Sequence, residues 1–144
     1  MRLKKVGSIE ISPTAPSDFD STFHKPDHFT SGDNYWEPGV RWQTWNWQEK
    51  QLGLKFANAG STDQPGIIVE IHYQDALADQ FIKSLTDEIR YRYNLDLGLS
   101  AFYTALGNDR VLGPIIQRWR GMRPGHPSSL YEYLIIVLSC RTRR

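Results

Sequence analysis

The chain has 144 residues, 40% apolar and 23% charged, which is the size and composition of one domain folded around a core. It holds no apolar run long enough to cross a membrane and no apolar signal core behind the basic start Met1-Arg2-Leu3-Lys4-Lys5-Val6; its one cysteine, Cys140, excludes a disulfide framework or a cysteine-built zinc site. The simplest expectation is a cytosolic protein. Net charge is +1, but residues 1–109 carry −5 and residues 110–144 carry +6, with every basic residue of the latter an arginine. Such a split points to a polyanionic partner for the C-terminal part, against the plainer reading of a solvated arginine face.

Leu3, Val6, Ile9 and Ile11 read as a first strand, broken by Pro13, Pro16 and Asp18, with Phe19 and Phe23 in a short element after the break. Residues 24–39, with Pro26, Gly32, Pro38 and Gly39, read as a long loop, and long ordered loops are often functional. Val40-Arg41-Trp42-Gln43-Thr44-Trp45-Asn46-Trp47 has strand chemistry, with aromatic and β-branched residues between polar spacers. Residues 48–51 make a turn, and Leu52-Gly53-Leu54-Lys55-Phe56 alternates with period two. A polar loop over 57–66 leads to a further strand, residues 67–73. The stretch 40–73 is therefore an antiparallel meander with one packed and one wetter face.

The period then becomes helical: Leu77, Phe81, Leu85 and Ile89 recur every four residues, opposite Asp79, Lys83, Asp87, Glu88 and Arg90. Two shorter helices are predicted near 99–106 and 110–119, then a loop over 120–127. Ser129 and Glu132 form a capping box for a last helix. That helix, residues 130–138, has almost no polar face, so it is expected to be covered by a partner chain, by a second copy, or by a further part of this chain. The predicted fold class is α+β: an antiparallel sheet of about five strands with flanking helices, followed by the first helices of an all-α segment.

Several residues carry chemistry. Trp36, Trp42, Trp45 and Trp47 lie within twelve residues, with Tyr35 adjacent; they serve as core and cross-strand pairs, or as a platform that stacks a base or sugar. Trp36 is the one least expected to be core. Arg118, Arg120 and Arg123 flank Trp119 and Gly121 at a helix end; they satisfy the helix dipole or contact a DNA phosphate backbone. His24 and His28, with Asp20 and Asp27, have the spacing of a helical metal site, but Pro26 between them argues against one. No metal, no cofactor and no catalytic residue is assigned.

The order of elements also carries a resemblance. Val40-Arg41-Trp42, Leu95-Asp96-Leu97, Gly121-Met122-Arg123 and Ser129-Leu130-Tyr131-Glu132, in this succession, are similar to the N-terminal half of the helix-hairpin-helix DNA glycosylases. The 3-methyladenine DNA glycosylase II and 8-oxoguanine DNA glycosylase branches look nearest. The resemblance covers about residues 3–138. It implies an antiparallel sheet with two helices over residues 1–95, similar to half of a TATA-binding protein. Residues 96–144 would begin the helical catalytic domain. In the family the sheet domain forms one wall of a pocket for a base flipped out of duplex DNA. Phe23, His24, Tyr35 and Trp36 are the pocket-wall residues so implied.

The family's hairpin, catalytic aspartate and any lysine nucleophile fall beyond residue 144. Codons can be written for residues 139–144 whose letters, shifted by two bases, read Leu-Gln-Asn-Ala-Thr-Val, a common continuation of this helix in the family. A frameshift near Ser139 is the corresponding expectation. The function expected is that of the N-terminal part of a DNA N-glycosylase that removes alkylated or oxidised bases in base-excision repair. This chain alone would be inactive, in a prokaryotic cytoplasm and associated with the nucleoid, with double-stranded DNA as the partner of the full enzyme. The alternative is a non-enzymatic binding or interaction module working through the tryptophan strand or the apolar helix.

Overall fold

A computed structural model describes residues 3–24, 34–126 and 130–141. The elements are β1 (Lys4–Ile11), α1 (Phe19–Phe23), β2 (Asn34–Glu37), β3 (Val40–Trp47), β4 (Lys50–Asn58), β5 (Ile67–Tyr73), α2 (Asp79–Arg92), α3 (Ser100–Leu106), α4 (Leu112–Arg118) and α5 (Leu130–Arg141). All five strands form one antiparallel sheet in the order β1-β5-β4-β3-β2. The fold is α+β, as the sequence pattern predicts.

The period-two alternation decides which face is packed. Leu52, Leu54 and Phe56 of β4 are buried, and their ladder partners Ile71 and Val69 of β5 are buried with them. Ile9 and Ile11 of β1 extend the same face opposite Val69 and Ile67. Helix α2 closes this face with Phe81, Leu85 and Ile89, which its four-residue spacing puts on one side. Burying each such side chain contributes about 1.5–3 kcal/mol. Trp45 joins the core at 3% exposure, with the Arg92 guanidinium over its ring at 4.2 Å. Trp42, three residues before Trp45 on β3, lies on the opposite face, as the alternation predicts.

Two local features differ from the sequence expectation. Part of the predicted loop 24–39 is a strand: β2 pairs Tyr35 with Trp42 and Trp36 with Arg41, so cross-strand aromatic contact outweighs its short length and flanking Pro38. The β3–β4 turn is the two-residue kind, with Gln48 at φ 44° and Glu49 at φ 63°, so β4 starts at Lys50 rather than after residue 51. Positive φ favours glycine or asparagine; here the Gln48 side chain compensates by donating to Ser84 Oγ at 3.1 Å, tying the turn to α2. Ser129 of the predicted capping box lies outside the described residues. Among the described residues no helix is long and apolar enough to cross a membrane.

Candidate nucleic-acid interface

The Gly121-Met122-Arg123 turn fastens the helical segment to the start of the chain. Gly121 has φ +87°, and a Cβ there would stand 2.5 Å from the Asp18 nitrogen, so no other residue fits. Its carbonyl accepts from the Asp18 N–H at 3.0 Å, and its own N–H donates to the Tyr103 hydroxyl at 2.8 Å. Two residues on, Arg123 is only 3% exposed. Its guanidinium donates to the carbonyls of Asn94 (2.6 Å), Leu97 (2.7 Å), Pro16 (3.1 Å) and Thr14, and to Ser17 Oγ (3.1 Å). Burial pulls this guanidinium below its ordinary pKa. One side chain thus joins the segment 14–17, the end of α2 and the final turn. The phosphate contact expected of Arg123 is therefore replaced by a structural role, because all its donors are turned inward.

This docking creates a cavity of about 910 Å³ between the sheet and the end of α4. His24 and Trp36 line one side, with ring centroids 4.2 Å apart, and Arg118, Trp119 and Arg120 line the other. The structure thus brings together four residues predicted separately from sequence. Trp119 is half-exposed. The Arg118 guanidinium lies 5.8 Å from its ring, and among the described residues Arg118 makes no ion pair. Arg120 is held at 2.6 Å by Asp63, and this hydrogen bond, more than the charge itself, keeps the Asp63 carboxyl below its usual range. The other carboxylates of the cavity have structural partners. Asp18 caps α1 by accepting from the Ser21 N–H at 2.8 Å and also takes the Thr62 hydroxyl at 3.3 Å; Asp20 accepts from the Gly39 N–H at 2.8 Å. Arg118 is therefore the cation presented outward, beside the Trp119 ring and across the cavity from Trp36.

The other two predicted wall residues lie elsewhere. Phe23 is fully buried, its ring stacked on Phe19 (4.5 Å) and Tyr93 (4.1 Å), while its carbonyl accepts from Arg41; it is core, because α1 turns it toward the sheet. Tyr35 is 61% exposed on the opposite side of β2 from Trp36, because adjacent strand residues point to opposite faces. Among the described residues no group of three or more His, Cys, Asp or Glu could hold a metal ion; His28 and Asp27 lie outside them. Trp119 is the residue whose place in the cavity the sequence reading missed. Its signal was present, an aromatic between two arginines at a helix end, but the arginines drew the interpretation. Asp63 and Thr62 carry no local signal and reach the cavity only through the β4–β5 loop. No family model, curated protein or solved structure matches this chain.

Proposed function

We propose that the chain is the N-terminal part of a DNA N-glycosylase acting on alkylated or oxidised bases. In this reading the cavity receives a base displaced from the duplex, and Arg118 contacts the neighbouring phosphate. The observation that carries it is the convergence of His24, Trp36, Arg118 and Trp119 on one cavity large enough for a nucleobase. Two further features support it. The antiparallel sheet with α1 and α2 agrees with what the resemblance implies for residues 1–95, and the Gly121-Met122-Arg123 turn has a defined role where the helical segment meets the sheet. Aromatic rings favour an unstacked base because every base has a π-face, and taking a base out of the duplex is least costly where it is damaged or mismatched. In this reading the part played by these residues is to bind the displaced base.

The test is fluorescence anisotropy with two duplexes of one sequence, one fully paired and one carrying a single extrahelical base. The reading predicts tighter binding of the second, affinity that falls as salt rises, and loss of the preference in Trp119→Ala. Equal binding of both duplexes by wild type would overturn it. A second reading rests on α5, whose Leu130, Tyr131, Leu134, Val137 and Leu138 are all exposed: an apolar helix of this kind associates with a partner or with itself.

A further inference from the structure

The face of the sheet opposite α2 carries a second recess, of about 540 Å³. The strand registers build it in two rows. Tyr35, Trp42, Lys55 and Glu70 stand side by side across β2, β3, β4 and β5, and Thr44, Gly53, His72 and Lys5 form the next row across β3, β4, β5 and β1. Gly53, without a side chain, makes room between Thr44 and His72 for the Leu3 side chain, whose Cδ1 would stand 3.3 Å from a Cβ there and which lines the recess with them. At one end the Tyr35 and Trp42 rings lie 5.4 Å apart at 47°, with Tyr35 well exposed. At the other end three basic groups share one carboxylate: Glu70 lies 3.1 Å from Lys5, 3.9 Å from Lys55 and 3.6 Å from His72. Lys55 links the two ends, its ammonium 5.9 Å from the centre of the Trp42 ring.

We infer that this recess binds a single nucleotide, with the base against Trp42 and Tyr35 and the phosphate toward Lys55, Lys5 and His72. The chemistry of the two ends carries this. Aromatic faces hold a base without regard to its identity, and two lysines balanced by one glutamate leave positive charge for one anionic group. Trp42 and His72 are two strands and one row apart, about 12 Å, which is of the order of an extended nucleotide's length. A long polyanion fits less well, because Glu10 and Glu37 stand at the two edges of the adjacent row. The recess and the cavity lie on opposite sides of β2, so this inference does not depend on the proposed function.

The same ligand chemistry is offered by a free mononucleotide and by one unpaired residue of a nucleic-acid strand. Titrating the full chain with adenosine monophosphate and, separately, with a thymidine decamer distinguishes them. Binding of the mononucleotide assigns the free form, and binding of the decamer alone assigns the strand. In either case Trp42→Ala is expected to weaken binding about tenfold, the usual scale for losing one base–ring stack. Tyr35→Ala, at an exposed position that leaves the core intact, should weaken it severalfold. The inference is overturned if neither probe binds, or if Trp42→Ala and Tyr35→Ala both bind like wild type. Loss confined to Trp119→Ala would likewise overturn it, while leaving the proposed function standing.

Discussion

Replacing Arg123 by alanine removes one side chain that serves five acceptors. Four are backbone carbonyls, of Thr14, Pro16, Asn94 and Leu97, and the fifth is Ser17 Oγ. A hydrogen bond to a charged donor contributes about 1.5–3 kcal/mol, but the space left by the guanidinium admits water that restores part of it. At about 1 kcal/mol retained loss per acceptor, the variant should be destabilised by roughly 4–5 kcal/mol. For a chain of this length the entropy of unfolding is about 0.3 kcal/mol/K, so Tm should fall by about 15 °C. Arg123→Lys, with one ammonium able to reach two or so acceptors, should lose about half as much. Urea unfolding followed by circular dichroism measures both. A loss below about 0.5 kcal/mol for Arg123→Ala would refute the clamp, since surface arginines fall in that range.

Gly121→Ala should cost about 3 kcal/mol, from the positive φ and from the Cβ that would stand 2.5 Å from the Asp18 nitrogen; a stability equal to wild type would show that the turn is not tightly docked. Tyr93 is buried and its hydroxyl donates to Gln43 Oε1 at 3.0 Å; burial pushes its pKa up to about 12. The unfolded phenol ionises first, near pH 10, so this contribution is intact below pH 10 and declines as pH rises toward 12, by about 1.4 kcal/mol per pH unit. Denaturant midpoints for wild type and Tyr93→Phe between pH 9 and 11 should diverge accordingly, and parallel curves would contradict it. Wild type should associate with rising concentration in sedimentation equilibrium, while the double variant Leu134→Glu/Leu138→Glu, altering two exposed residues one turn apart on α5, should remain monomeric.

The strands and α2 were legible because their hydrophobic period is regular. Leu52, Leu54 and Phe56 alternate, and Phe81, Leu85 and Ile89 recur every four residues, so each pattern names its buried face without knowledge of the partner. β2 was hidden because it is four residues long and is stabilised across the sheet, by Trp42 and Arg41, rather than by its own composition. The site was half legible. Residue type marked Trp36, Arg118 and Arg120, and the family resemblance added His24, but neither reveals where a donor points. Arg123 resembles Arg118 in sequence and differs only because Gly121 turns the chain inward between them. Phe23 and Tyr35 failed for the same reason, since a single step along a helix or strand decides between core, cavity and open face.

The central claim, that a displaced base enters the cavity beside Trp119, is tested most directly by fluorine NMR of protein carrying 5-fluorotryptophan. Its five tryptophans (36, 42, 45, 47 and 119) are assigned by single substitution and followed as a duplex with one extrahelical base is added. The resonances of Trp36 and Trp119 should move together with the duplex, while that of buried Trp45 stays fixed. If Trp36 and Trp119 do not move at saturating duplex, the cavity is not the DNA site and the glycosylase reading loses its structural support.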